Sequence, residues 1–478
     1  MAATDFFHGI QVKVVTDGIR SISTAASSVI GIVGTAPAAD ESVWPIDTPV
    51  AVLGQSDLDK VGDLGTEGTL YDAIDRDMLD LVSATIIAVR VEAGQTDEDT
   101  QANILAGTDP DTGKRRGVDA LLAAEAEVGA KPRLLCAPGF THQRVTDGVL
   151  SISVDAGGSG YTIAGTTVSI SGTGSGASAE VSTVDDTGAI TEITVTNAGR
   201  GYTDSPSVTI NGDGSSATAS ATIGTAKNPV AAKMQTVAGK LRAVVIPDGP
   251  NTNDAEAMAA AGDFGDKRIY IHDPWYVYFD PETATYGPRP ASSRICGLIA
   301  LNDKVNGWHT SPSNMNVPGI SGLSREIDFS QEDASSRANV LNNALVATTI
   351  RDQGYRLWGN RTTSSDQKFA FLAHVRIQDI LNDSLVAAHR WARDRNITRT
   401  YVEDVTASVN AFIARLVAEG RIAGGRCYAP PELNKPADQA AGRVVFAFDF
   451  SAYGIAEDIK FMSAMVNDYL EDVIPGAA

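Results

Sequence analysis

The period of apolar and polar positions changes several times along the chain. Ile10, Val12 and Val14 alternate with Gln11 and Lys13 between Gly9 and Gly18, which predicts a short strand with one apolar face. A lone strand cannot satisfy its own backbone hydrogen bonds. Residues 1–24 therefore read as an N-terminal arm that joins a sheet in its own subunit or in a neighbour's.

From residue 28 onward, runs that are apolar on both faces alternate with helix-like stretches. The strand candidates are Val29-Ile30-Gly31-Ile32-Val33, the run 85–91, Arg133-Leu134-Leu135-Cys136-Ala137, the run 241–246, and Arg268-Ile269-Tyr270-Ile271. Helices are predicted at 69–82, 117–129, 229–240 and 253–262. Strands apolar on both sides and separated by helices point to an α/β layer with parallel pairing.

Residues 148–226 break that pattern. They hold fourteen glycines, seven acidic residues and a single basic one, Arg200. Residues 154–162 (VDAGGSGYT) match 195–203 (VTNAGRGYT) at an offset of 41, and 168–177 (VSISGTGSGA) match 208–217 (VTINGDGSSA) at an offset of 40. Ile152 and Val154, like Ile193 and Val195, alternate as strand residues do, and the glycine clusters supply tight turns. The segment reads as a small all-β module of two repeated units inserted into the α/β domain, because a strand ends near Phe140 and the next helix starts only after Pro229.

The last third is mixed. Ile377, Ile380, Leu381, Leu385 and Ala388 fall at helical spacing, as do Val405, Val409, Phe412, Ile413 and Leu416, with Asp404 as N-cap and Gly420 as stop. Val444, Phe446, Phe448 and Phe450 alternate with Arg443, Val445, Ala447 and Asp449, a strand pattern, and the tail from Asp458 to Ile474 reads as a second extended or partly helical arm. The expected class is thus α/β and α+β multidomain: an N-terminal arm (1–24), an α/β domain in two parts (25–145 and 228–325), the inserted module (146–227), a C-terminal α+β domain (326–450) and a C-terminal arm (451–478).

Charge and cysteines narrow the function. A formal charge of −21 repels phosphate backbones, which argues against nucleic-acid partners. It suits a subunit that stays soluble at high concentration before assembling. No apolar run is long enough to span a membrane, and Met1-Ala2-Ala3-Thr4-Asp5 lacks the pattern of a signal peptide, so synthesis in the cytoplasm is expected. Cys136, Cys296 and Cys427 are widely spaced, which fits buried thiols and argues against a zinc site or disulfide framework.

Six stretches in order resemble the contractile tail sheath proteins of P2-like phages and R-type pyocins. They are Phe7-His8-Gly9-Ile10-Gln11-Val12, residues 29–37 (VIGIVGTAP), Ala137-Pro138-Gly139-Phe140, residues 246–252 (IPDGPNT), Ser311-Pro312-Ser313-Asn314, and residues 354–362 (GYRLWGNRT), the most specific of the six. The resemblance covers nearly the whole chain except 145–227, which a minimal sheath subunit lacks. It implies a structural protein of the virion with no cofactor and no enzymatic activity. Stacked hexameric rings would surround a tail tube, with baseplate and tail terminator proteins as further partners. The two arms would add strands to neighbouring subunits, with Ile10, Val12, Val14, Val444, Phe446, Phe448 and Phe450 as the inter-subunit residues. Tyr355, Trp358, Asn360 and Arg361 would carry the family motif. Contraction would repack an extended lattice into a shorter, wider one and drive the tube through the host envelope during genome delivery. A tail-associated adhesin or an α/β enzyme are the alternatives.

An arm of about 20 extended residues reaches roughly 65 Å, enough to bridge subunits, and strand addition gives main-chain bonds while alternating side chains set register. The same pattern also suits edge strands closing their own domain. Residues 351–400 carry nine Lys or Arg against five Asp, a net of +4. Arg390, Arg393, Arg395 and Arg399 therefore read either as a tube-facing patch for an acidic surface or as a solvated helix end.

Other motifs only look like chemistry. Gly172, Gly174 and Gly176 resemble a phosphate loop, but strand-like alternation follows where a helix is required. Asp109, Asp111 and Gly113 form a turn pattern without the spaced ligands of a calcium loop. His272 and Asp273 with Cys296 lack a nucleophile elbow. Tyr161 and Tyr202, equivalent in the repeats, either pack at turns or contact sugars.

Overall fold

The computed structural model describes residues 21–280 and 283–466, so Ile10, Val12 and Val14 lie outside the described residues. Strands β1 (Ile30–Thr35), β2 (Pro49–Leu53), β3 (Thr85–Val91) and β4 (Leu134–Cys136) build a sheet in the order β4-β1-β3-β2. Pairing of β1 with β3 and β4 is parallel, with Ile30 opposite both Ile86 and Leu134, while β2 runs antiparallel along β3. Val33, Ile87, Val89 and Leu135 face one apolar core, and Ile30, Ile32, Ile86, Ala88 and Leu134 face another. Burial on both sides is why these runs show no alternation in sequence.

After β4 the chain leaves the sheet as a six-stranded closed barrel. Its strands are β5 (Val145–Ser159), β6 (Thr167–Ser171), β7 (Ser175–Val184), β8 (Ile190–Arg200), β9 (Ser207–Asn211) and β10 (Ser215–Ala226), in the order β8-β5-β10-β9-β6-β7. The two repeats, β5–β7 and β8–β10, are interlaced: the first strand of each pairs with the last strand of the other, and β6 pairs with β9 with Ser169 opposite Thr209. Val145 and Ala226 are paired, so the module enters and leaves through adjacent strands. Asn228 pins this base, donating to the Phe140 and Gln143 carbonyls at 3.0 and 2.9 Å while its Oδ1 caps the next helix at Ala231 N.

The α/β layer then resumes with β11 (Val244–Val245), parallel to β4. Residues 269–272 continue the layer through parallel bridges from Ile269 to Val245 and from His272 to Asp248. Helices α1 (Asp97–Leu105), α2 (Pro229–Leu241), α3 (Asp254–Gly262) and α4 (Ser292–Val305) flank the sheet. The predicted strand at 241–246 is shorter than expected. Leu241 ends α2, and Arg242, with φ 51°, turns the chain through a left-handed residue before the strand begins.

A hairpin of β12 (Thr348–Arg351) and β13 (Tyr355–Trp358) precedes α5 (Leu372–Ala388), α6 (Arg399–Ala418) and the antiparallel pair β14 (Gly424–Tyr428) and β15 (Ala447–Ser451). The C-terminal body starts later than residue 326, because Ile327, Leu341, Val346, Ile350 and Leu357 pack into the two cores of the sheet. Its own core joins Ile377, Ile380, Leu381, Val409, Phe412, Ile413, Leu416 and Cys427, and it also takes Ile22 and Trp308. Ile22 therefore belongs to this body and not to an arm ending at 24. The cap of α6 is Thr398, which accepts from Tyr401 N at 3.1 Å, and not Asp404, which lies inside the helix. Cys136, Cys296 and Cys427 are buried free thiols.

Candidate assembly surface

The alternating run at 444–450 folds onto its own chain. The strand starts at Ala447, so Val444 and Phe446 precede it. β15 pairs with β14 in the register Gly425 opposite Phe450 and Cys427 opposite Phe448. Phe446, Phe448 and Phe450 share a side, as a two-residue period requires, and pack against the C-terminal core. Among the described residues no third strand pairs with β14 or β15. Helix α6 covers the β14 side: the Asn410 side chain accepts from Cys427 N at 2.7 Å and donates to the Cys427 carbonyl at 3.0 Å, which leaves β15 as the edge for a further strand. Open edges present unpaired N–H and C=O groups that template pairing with another chain.

Beyond β15, residues 452–466 have no regular structure. Arg361 holds them on one side: its Nη2 meets Glu457 Oε2 at 2.7 Å, and its guanidinium lies 5.2 Å from the Phe371 ring. His374 Nε2 donates to the Tyr453 carbonyl at 2.9 Å. Past these tethers the chain exposes large apolar groups. Phe461 and Met462 are 93% and 98% exposed, and Ile459, Met465 and Val466 are exposed too. Contiguous apolar exposure of this kind marks an interaction surface.

The other motif residues are structural. Two of the signature stretches interlock: Asn314 N donates to the Leu357 carbonyl at 2.6 Å, Arg356 Nη1 to the Asn314 carbonyl at 2.9 Å, and Gly359 N to Ser313 Oγ at 3.1 Å. Trp358 packs edge-on against Phe329 at 4.9 Å, Tyr355 Oη donates to the Ser321 carbonyl, and the Asn360 side chain accepts from the Ser311 hydroxyl. Asp248, in the stretch 246–252, is buried and caps α4, accepting from Ala291 N and Ser292 N at 2.8 Å and from Ser292 Oγ at 2.7 Å. Burial pushes its pKa up to about 6, against the pull of those donors.

His272 and Asp273 are sealed and face different neighbours. His272 Nε2 lies 2.9 Å from Thr349 Oγ1, whereas Asp273 binds Arg325 and accepts from Asn251 N at 2.7 Å. Burial lowers the His272 pKa to about 3, so the ring is neutral. Cys296 sits in a core facing the sheet. No group of three or more His, Cys, Asp or Glu among the described residues is placed to hold a metal ion. No helix there is long and apolar enough to cross a membrane. Asp109 makes a side-chain-capped turn, accepting from Asp111 N and Thr112 N at 3.0 and 2.8 Å.

Arg390, Arg393, Arg395 and Arg399 are all exposed, on the connection from α5 into the start of α6. Arg390 lies 3.8 Å from Glu125, Arg395 covers the Trp391 ring at 5.5 Å, and Arg399 pairs with Glu403 at 2.8 Å.

In the barrel, Tyr161 and Tyr202 are 5% and 1% exposed, which rules out their use as a sugar platform. The Tyr161 hydroxyl accepts from Ala217 N at 3.3 Å and the Tyr202 hydroxyl from Ala177 N at 3.4 Å, so each tyrosine ties its repeat to the other. Gly214 and Gly174 make room for the rings; a Cβ there would come within 2.4 and 2.6 Å of them.

Comparison with known proteins bears on the surface just described. A family model of the phage tail sheath protein central domain matches residues 218–363, and one of the phage tail sheath C-terminal domain matches 364–465. The chain is 34% identical over 470 residues to a putative prophage major tail sheath protein of Pseudomonas aeruginosa (strain UCBPP-PA14), covering 98% of this chain and 99% of that one. It is 26% identical over 478 residues to the tail sheath protein of Escherichia phage P2, covering 98% of each. In fold it resembles the contracted helical sheath of the anti-feeding prophage (TM-score 0.59, 14% identity, 96% of this chain and 99% of that one). It also resembles the contracted sheath of an extracellular contractile injection system (TM-score 0.57, 12% identity, 98% and 99%).

Proposed function

The chain belongs to the phage tail sheath family, and we propose that its copies polymerise around a tail tube, linked by arms that they exchange. It is a structural subunit of a contractile tail and a component of the virion, with further copies of itself and the baseplate as partners. The tail tube and a terminator protein complete the set we assign, and synthesis takes place in the host cytoplasm. Contraction drives the tube through the host envelope without nucleotide.

The observation that carries arm exchange is the exposed apolar segment 459–466, leaving a body in which no further strand pairs with the β15 edge among the described residues. An extended chain laid on such an edge gains main-chain hydrogen bonds, and its apolar side chains choose the register. We assign residues 1–20 the same role at the other end. Arg390, Arg393, Arg395 and Arg399 are the surface we assign to an acidic tube, by charge complementarity. The barrel is a decoration that the lattice does not need.

Negative-stain electron microscopy of the purified chain, beside versions lacking 1–20 or 452–478, tests this reading. Full-length protein should give striated hollow cylinders and both truncations discrete particles. Cylinders from either truncation would rule out the corresponding arm.

A further inference from the structure

The C-terminal body meets the sheet across a seam of charge. A basic residue opens each successive strand at that edge of the layer: Lys131 and Arg133 before β4, Arg242 before β11, and Arg268 before 269–271. Helix α5 faces these strand starts with Arg376, Asp379 and Asp383, spaced three and four apart and hence on one side of the helix. Asp383 receives Lys131 at 3.3 Å together with Arg133 and Arg242, and Asp379 receives Arg268, whose Nη2 lies 3.0 Å away. Arg376 pairs with Asp303 of α4 at 2.7 Å and donates to the Ser27 carbonyl at 3.1 Å.

The segment entering β1 is stapled to α5 and α6. Arg415 donates to the Ile22 carbonyl at 2.7 Å and Ala25 N donates to Ser384 Oγ at 2.9 Å. Tension on the N-terminal residues therefore reaches the C-terminal body before it reaches the sheet.

The two ends of α5 are held differently. Leu372 and Val375, in its first turn, are buried in the core of the sheet. Further along, Ile377, Ile380 and Leu381 turn to the C-terminal core, and toward the sheet the helix offers only ions. Close-packed apolar contacts hold one arrangement. Long Lys and Arg side chains follow a carboxylate through a shift of a few ångström, and Asp383 has three of them from two adjacent strands.

We propose that this seam is an ionic joint: α5 pivots about its first turn, and Asp379 and Asp383 re-register along the basic strand starts while the cores on either side stay intact. The use of such a joint during contraction rests on the sheath reading; its existence does not, and it is measured on the monomer.

Fluorescent labels at Glu127→Cys and Ala418→Cys in the full chain, kept dilute and monomeric, report the angle between the two bodies. The wild-type background should give one narrow distance. Asp379→Asn with Asp383→Asn should broaden it or move it by at least about 5 Å, one helical turn, with far-ultraviolet circular dichroism unchanged. The single change Asp383→Asn is the milder form should the double variant unfold. Raising NaCl from about 0.05 M to about 1 M should broaden the wild-type distribution, because the pairs of Arg242 and Lys131 reach solvent. One narrow, unmoved distance in Asp383→Asn and at high salt would overturn the joint. Truncated arms that still form cylinders would remove the exchange reading and leave this result standing.

Discussion

The barrel and the C-terminal body handle strand edges in opposite ways. In the barrel every strand is paired on both sides, the apolar interior is enclosed, and the chain enters and leaves by neighbouring strands. In the C-terminal body two short strands form a sheet whose β14 side is covered by Asn410 of α6 and whose β15 side has no further strand among the described residues, and the chain runs on as an exposed apolar segment. Closure removes the edge that recruits other chains, whereas an open edge with unpaired backbone groups invites them. Two regions of one chain, built from similar strands, thus differ in whether a strand edge is left without a partner strand.

Excision is the strongest test of that contrast. Replacing residues 146–226 by a short Gly-Ser linker should leave cylinder formation intact, because the excised ends are already adjacent and Asn228 continues to cap α2. Removing 452–478 should abolish cylinders at any concentration while the monomer keeps its melting temperature. Sedimentation velocity separates the two, and a barrel-less chain that fails to assemble would show that the module belongs to the lattice.

Much of this contrast was legible in the residues, and the missing parts share a cause. The run 85–91 matches β3 residue for residue, and the repeats at offsets of 41 and 40 return as the two halves of the barrel. Their interlacing was not legible, because pairing β5 with β10 joins residues far apart in sequence, and local pattern carries no partner. The antiparallel β2 was missed for lack of alternation in Pro49–Leu53, buried mostly on both faces. The boundary at 326 failed because hairpin β12–β13 resembles the start of an α+β domain, and only three-dimensional packing assigns it to the sheet. The ionic seam did leave a signal: Arg133, Arg242 and Arg268 each stand at the start of an apolar run. Nothing local pointed to their acceptors, Asp379 and Asp383, more than a hundred residues away.

Acid distinguishes the bodies at the next level of effect. The barrel contains no histidine, whereas the sheet buries His272 with its pKa lowered from 6.5 to about 3. A basic group whose pKa is depressed on folding contributes stability that is complete above its unfolded value and is lost as pH falls below it. Compared with His272→Gln, the wild-type chain should lose about 1.4 kcal/mol of stability per pH unit below about 6.5. Urea midpoints of the two proteins, measured from neutral pH downward, give the slope. Parallel curves would mean that His272 is not held neutral.

The smallest effect asks whether the barrel's two halves are equivalent energetically as well as in sequence. Tyr161 and Tyr202 each give a buried hydroxyl to a backbone N–H of the opposite repeat, Ala217 and Ala177 in turn, at distances within 0.1 Å of each other. Their rings fill matching gaps beside Gly214 and Gly174. Tyr161→Phe and Tyr202→Phe keep the ring and remove only the acceptor, leaving one N–H unsatisfied, which costs about 1 kcal/mol in each case. Because the sites lie at opposite repeats and share no partner, the double variant should lose the sum. A much larger loss at one tyrosine would show that one repeat organises the barrel and the other follows. Equal, additive losses would mean that closure depends on both repeats alike, and that neither makes a stable half without the other. The C-terminal sheet lacks that reciprocity: among the described residues no strand pairs with the outer side of β15.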